Sequence, residues 1–170
     1  LAQHDPLTGL PNRRMFFERL QQAISSAKRT QQPLALLFID LDYFKEINDR
    51  HGHARGDEVL KAVARLLRSA TREVDTVARL GGDEFVILFN VLEESQDIQR
   101  IVCKLHERFQ TSLRIDGQEL NIRASIGVSC YPQDGDSAER LIQHADRAMY
   151  AAKRDGRNTF AFHAGSAQGE

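Results

Sequence analysis

Four acidic side chains fall at two places where charge is costly: Asp40 and Asp42 at the end of LLFIDLD, and Asp83 and Glu84 in LGGDEFVILF. Each pair adjoins an apolar run, so its charges need something positive beside them. Neither stretch holds a His or Cys. A donor set made only of oxygens suits magnesium better than zinc. Magnesium usually keeps waters and takes one or two carboxylates plus substrate phosphates. The chemistry this pattern predicts is metal-assisted work on a phosphorylated ligand. Such a cluster repels itself, and some members would hold protons until a cation arrived. The same pairs would also arise where Asp40 and Asp42 start a helix and Asp83-Glu84 is a solvated turn. Spacing alone does not choose between these.

The elements that must carry those residues follow from periodicity. Asn12 is placed to cap a helix whose stripe is Phe16, Phe17, Leu20, Ala23, Ile24 and Ala27. LALLFIDLD is a short apolar run typical of a buried strand, and if it persists far enough Asp40 and Asp42 share one face. YFKEIND predicts a short helix, HGHARGD a turn, and DEVLKAVARLLRSAT a second amphipathic helix. VARL and FVILF predict two strands closed by Gly81-Gly82. SQDIQRIVCKLHERFQT predicts another helix. LRI and QELNIRASIGVS predict a hairpin about Asp116-Gly117, with Ile122, Ala124, Ile126 and Val128 alternating along its second strand. A last helix is expected over DSAERLIQHADRAMYAAKRDG, capped at Asp136 and stopped at Gly156, then a strand in NTFAF. Hairpin-paired strands mixed with long helices predict an α/β (α+β) domain on a largely antiparallel sheet. The domain is expected over residues 1–163, with a small, polar tail over 164–170.

Composition narrows the partners. The chain has 170 residues, enough for one sizeable core, with 41% hydrophobic and 28% charged residues. A net charge of −1 and a pI near 6.7 supply no global field for nucleic acid or an anionic membrane, so phosphate must be held by local groups. No apolar run approaches the length of a membrane span. Cys103 and Cys130 lack CxxC spacing and predict thiols of a reducing compartment, hence a cytoplasmic location for the domain. The start, Leu1-Ala2-Gln3, has no initiator methionine and suggests a piece of a longer protein.

Gly81-Gly82-Asp83-Glu84-Phe85 resembles the signature of the GGDEF family, the diguanylate cyclases. Further stretches resemble the same family in the same order: Asp5-Pro6-Leu7-Thr8-Gly9-Leu10, Asp40-Leu41-Asp42-Tyr43-Phe44-Lys45, Asn48-Asp49, Gly52-His53, Gly56-Asp57, Ala145-Asp146, Met149-Tyr150, Ala152-Lys153 and Gly156-Arg157-Asn158. The matches span nearly the whole chain, which makes the resemblance far more specific than the pentapeptide alone.

The resemblance implies a five-stranded, mostly antiparallel sheet flanked by helices, like the palm of nucleotide cyclases and polymerases, with an additional β-hairpin. It implies that two GTP condense to cyclic di-GMP with release of two pyrophosphates. Asp40, Asp83 and the Leu41 carbonyl are then expected to hold magnesium, with manganese as a substitute, and Glu84 to complete the acidic set near the attacking 3′-hydroxyl. Sequence leaves open whether a carboxylate there serves the metal or takes the proton. The resemblance assigns the phosphates to Tyr43, Phe44 and Lys45 at a helix start, with Lys153 and Arg157. Guanine goes to Asn48 and Asp57, a carboxylate being able to accept from its N–H groups. Without the family, Asp57 reads as a helix cap, and the two basics as cations at a helix C-terminus.

Arg72-Glu73-Val74-Asp75 is an RxxD that the resemblance places at an inhibitory site for cyclic di-GMP; as a bare pattern it is a surface ion pair. His51 and His53 are expected to be structural, and His4, His106, His144 and His163 suggest no site. Catalysis on two nucleotides implies a homodimer, an upstream sensor that controls pairing and, in some relatives, a downstream phosphodiesterase (EAL) domain. Three readings compete: an active cyclase, a binding module that regulates such a phosphodiesterase, and a different nucleotidyl transferase. The intact acidic set favours the first.

Overall fold

The structure, a computed structural model, describes residues 2–163. The expected tail over 164–170 lies outside the described residues. Helix α1 (Arg13–Thr30) is capped by Asn12, whose side chain accepts from the Met15 N–H, and strand β1 (Leu34–Leu41) follows. Then come α2 (Phe44–His51), α3 (His53–Ser69), β2 (Thr76–Gly81), β3 (Glu84–Phe89) and α4 (Asp97–Phe109). The chain closes with β4 (Leu113–Ile115), β5 (Gln118–Leu120), β6 (Ala124–Tyr131), α5 (Ala138–Arg154) and β7 (Phe160–Phe162).

The main sheet has the order β2-β3-β1-β6-β7, antiparallel except for the β6–β7 pair. β1, β3 and β6 are buried on both faces, apart from the half-buried Glu84 at the tip, so their alternating residues serve two cores. Leu36, Phe38, Val86 and Leu88 pack with α1 and α5, including Leu20 and Met149. Leu37, Ile39, Ile87 and Ile126 pack with α3 and α4, including Val63 and Val102. Burial of this many aliphatic side chains, each contributing roughly 1.5–3 kcal/mol, fixes the sheet as a rigid platform. Glycine sets how closely one helix approaches it. A Cβ on Gly127 would lie 2.1 Å from the Ala145 carbonyl oxygen and the Met149 nitrogen. β6 therefore needs Gly there for α5 to lie on it.

Three boundaries differ from those expected. The stretch HGHARGD is not a free turn: α3 already starts at His53, with only Gly52, at φ 88°, separating it from α2. Asp57 is thus inside α3 and not its cap. The long strand QELNIRASIGVS is two strands in different sheets: β5 pairs with β4 alone, and β6 starts at Ala124. Side chains either side of the break engage away from the main sheet, Asn121 with Ser112 Oγ and Arg123 with the Phe109 carbonyl. The apolar alternation of Ile122 with Ala124 hides this break, since Ile122 stays in the same core. Finally, Ser137 caps α5, not Asp136.

Candidate active site

β1 carries Asp40 to its end, directly opposite Glu84 on β3 and Ser125 on β6. Residues directly opposite in an antiparallel pair share a face, and this is the face covered by α1 and α5. Gly82 and Asp83 form the tip between β2 and β3. Gly82 there has φ 50°, a left-handed conformation that suits Gly, and the Asp83 carbonyl accepts from the Leu41 N–H at 3.2 Å. The register thus brings Asp83 back onto the end of β1.

The electrostatics are those of crowded carboxylates. Burial first, then hydrogen-bonding contact with Asp40 and its charge, push the Asp83 carboxyl up to about 6. Glu84 is also raised, by burial and by the charges of Asp40 and of Asp146 on α5, against Arg13 and Lys153. Lys153, near the end of α5, donates from Nζ to Asp40 Oδ2 at 2.5 Å. Burial lowers the Lys153 ammonium pKa, but the bond to Asp40 and the charges of Asp40 and Asp83 raise it further. Among the described residues no three His, Cys, Asp or Glu side chains converge closely enough to hold a metal alone. The donor set is instead two touching carboxylates with Glu84 beside them. That fits a magnesium-like ion, which completes its shell with water and phosphate oxygens.

Asp42 does not join this set. It lies just past β1 and is buried; its Oδ1 accepts from Ser125 Oγ at 2.7 Å and its Oδ2 from the Asn158 N–H at 2.8 Å. Of the three or four carboxylates that spacing allows at this sheet edge, Asp40, Asp83 and Glu84 lie there and Asp42 does not.

The other predicted residues surround the acidic edge. Tyr43, in the left-handed region at φ 58°, opens α2, so the amides of Phe44 and Lys45 lie at a helix start. Its exposed ring lies 5.1 Å from the Arg157 guanidinium. Asn48 is pressed against α3: a Cβ on Gly56 would sit 1.7 Å from Asn48 Oδ1 and 3.3 Å from Phe44 Cζ. Gly56 thus makes room for Asn48, and the exposed Asp57 follows directly on α3.

The Arg72–Asp75 pair is placed elsewhere, at the start of β2. Asp75 accepts from Arg72 Nε (3.1 Å), Nη2 (3.0 Å) and main-chain N–H (2.9 Å), and from the Asn90 N–H (3.1 Å). Its side chain is 1% exposed while that of Arg72 is 53% exposed. Arg19 and Arg68 line the same cavity of about 300 Å³ as Arg72.

One device had only a weak sequence signal, a lone cation in the apolar strand VARL. Arg79 pairs with Asp5 (Nη1 to Oδ1, 2.9 Å) and donates from Nε and Nη2 to the Gly82 carbonyl at 3.0 and 2.8 Å. Asp5 also accepts from the Thr8 N–H and hydroxyl; although burial raises its pKa, these bonds and Arg79 leave it lowered. His106 had no sequence signal at all: its Nε2 bonds the Asn158 carbonyl at 2.9 Å.

The family profile described as "Diguanylate cyclase, GGDEF domain" matches residues 2–159. The bifunctional diguanylate cyclase/cyclic di-GMP phosphodiesterase MucR of Pseudomonas aeruginosa is 47% identical over 162 residues, 95% of this chain and 24% of MucR. The solved GGDEF domain of TpbB (YfiN) from the same organism superposes with a TM-score of 0.91 at 45% identity, covering 94% of each chain. The GGDEF domain of DgcB from Caulobacter crescentus, solved in complex with c-di-GMP, gives 0.86 at 29% identity, covering 96% of each. The chain spans about a quarter to just over a third of the length of the curated relatives MucR and TpbB. With a matched profile over almost its full length and relatives this similar, this chain belongs to the GGDEF family of diguanylate cyclases.

Proposed function

We propose that the chain condenses two GTP into cyclic di-GMP with release of two pyrophosphates. The observation that carries this is the meeting of Asp40, Asp83 and Glu84 from two adjacent strands, beside Lys153, in a chain of this family. Asp40, Asp83, Glu84 and the Leu41 carbonyl would hold Mg²⁺, or Mn²⁺ in its place. A divalent ion there would favour ionisation of the 3′-hydroxyl and offset charge on the departing pyrophosphate. Glu84, its carboxyl raised by burial and its acidic neighbours, is suited to receive that hydroxyl proton. Lys153, Arg157, Lys45 and the amides at Tyr43 and Phe44 would bind the phosphates. Asn48 and Asp57 would read guanine, whose N1–H and N2–H₂ donors have no counterpart at those positions of adenine.

Two such domains, each with one GTP, must face each other for the two 3′-hydroxyls to attack, so the working form is a homodimer. In a longer protein an upstream sensor would control that pairing. Product inhibition would use Arg72, which turns half of its side chain to solvent although Asp75 is already engaged. Cyclic di-GMP at this site would meet the Arg72 guanidinium beside Arg68 and Arg19. The matched residues include no span able to cross a membrane: no described helix is long and apolar enough. The domain's place of work is taken to be the cytoplasm, where GTP is available.

The test is to incubate the purified chain with GTP and magnesium and to separate products chromatographically. Cyclic di-GMP should form, and Glu84→Gln should reduce its rate by roughly 10²-fold or more. A chain that binds GTP or cyclic di-GMP tightly yet forms no product would instead be a regulatory module for an attached phosphodiesterase. The bifunctional name of MucR gives that second reading its support.

A further inference from the structure

We propose that Asp42 is a positioning residue for the phosphate end of the site, acting through Asn158 on Arg157, and is not a metal ligand. The inference rests on the proposed use of Arg157 at the triphosphate. Both Asp42 oxygens are committed inside the protein, to Ser125 Oγ and to the Asn158 N–H, and its own N–H donates to the Arg123 carbonyl at 2.8 Å. Each oxygen of this buried carboxylate thus already serves a donor that is not part of the acidic edge.

What Asp42 holds is an unusual turn. After α5 the chain runs through Gly156, Arg157 and Asn158 at φ 105°, 65° and 50°, three left-handed residues in succession. Only the first is Gly, so the turn costs energy and persists only where its surroundings hold it. Asn158 is gripped at every polar group. Its N–H meets Asp42; its carbonyl meets His106 Nε2 on α4; and its side-chain amide exchanges bonds of 2.8 and 3.1 Å with Gln110. The Arg157 N–H is tied back to the Ala152 carbonyl at 3.1 Å.

The Arg157 side chain is treated differently. It is exposed, its guanidinium lies over Tyr43, and among the described residues it makes no side-chain hydrogen bond or ion pair. The backbone is fixed and the cation left available, which is the arrangement that presents a guanidinium to phosphate at little ordering cost. Asp42 stands two residues after Asp40, and Asn158 one after Arg157. The Asp42–Asn158 hydrogen bond therefore ties the carboxylate end directly to the turn that carries the far cation.

The experiment compares the intact chain with its Asp42→Asn and His106→Ala variants. Affinities for α,β-methylene-GTP and for GMP are measured calorimetrically, with the magnesium concentration giving half-maximal turnover. Asp42→Asn keeps size but removes the charge and leaves one oxygen where two accepted, from Ser125 Oγ and from the Asn158 N–H. It should weaken α,β-methylene-GTP by about tenfold, leave GMP within about twofold, and leave the magnesium requirement unchanged. His106→Ala, which removes the tie from α4 at a half-buried site, should show the same selectivity to a smaller degree, and serves if the first variant fails to fold. A raised magnesium requirement with triphosphate affinity intact would make Asp42 a ligand and overturn the inference. Equal weakening of GMP and α,β-methylene-GTP would also overturn it. A wild-type chain that binds neither nucleotide removes the proposed function itself. A wild type that binds both, with Asp42→Asn unimpaired, removes this inference alone.

Discussion

At the scale of single residues, Asp83 shows what burial and a neighbouring carboxylate do to an acid. Its folded-state pKa, about 6, is above the 3.8 of a free carboxyl. The folded chain thus binds more protons than the unfolded one between those values. The associated stability is fully present below about pH 4 and is lost as pH rises through about 6. Metal-free protein should therefore melt lower at pH 7.5 than this group would allow at pH 5. Asp83→Asn should raise the neutral-pH unfolding free energy in EDTA by on the order of 1 kcal/mol, discounted for a half-buried site. The gain should shrink toward pH 4.5, and magnesium should stabilise the wild type but not the variant. Calorimetric melts across pH check this; a gain independent of pH would remove the shared-proton account.

Much of this was legible in the residues. Spacing left Asp40, Asp83 and Glu84 open between a cluster and two unrelated turns, and the resemblance to the GGDEF signature chose the cluster. Asp42 misled, since a period of two assumes that the strand persists, and β1 ends at Leu41. His106 was silent: a lone His on an amphipathic helix gives no hint that it bonds a carbonyl 52 residues away.

At the scale of elements, α5 is the part whose placement matters most, since it delivers Lys153 and leads into Arg157. Gly127 lets it lie on β6 without a side chain between them. Gly127→Ala puts a methyl against helix backbone, which cannot swing aside as a side chain can. We expect about 1–3 kcal/mol of destabilisation. We also expect a loss of kcat/KM exceeding that of a control with similar stability, as Lys153 withdraws from Asp40. Thermal melts and steady-state kinetics separate the two effects. The helices and hairpins themselves were readable from periodicity and turn residues. The division between β5 and β6 was not, because both sides of the break contribute apolar residues to one core and a pattern of alternation cannot report a change of sheet.

At the scale of the whole molecule, the proposed function gives one acidic edge one nucleotide, while its product would contain two. Specific activity at saturating GTP should therefore rise with protein concentration until pairing is complete, and flatten beyond it. Activity that scales linearly with protein from the lowest dilution would mean that pairing is already tight. The near-zero net charge gives two copies little mutual repulsion.

The leading loop offers a route by which such pairing could be felt at the chemistry. Asp5 grips Arg79, and Arg79 grips the Gly82 carbonyl next to Asp83; in parallel the Arg79 N–H is fastened to the Pro11 carbonyl. Neither hydrophobic layer takes part in that chain of bonds. A tug on residues ahead of α1 would thus reach the acidic tip along these bonds.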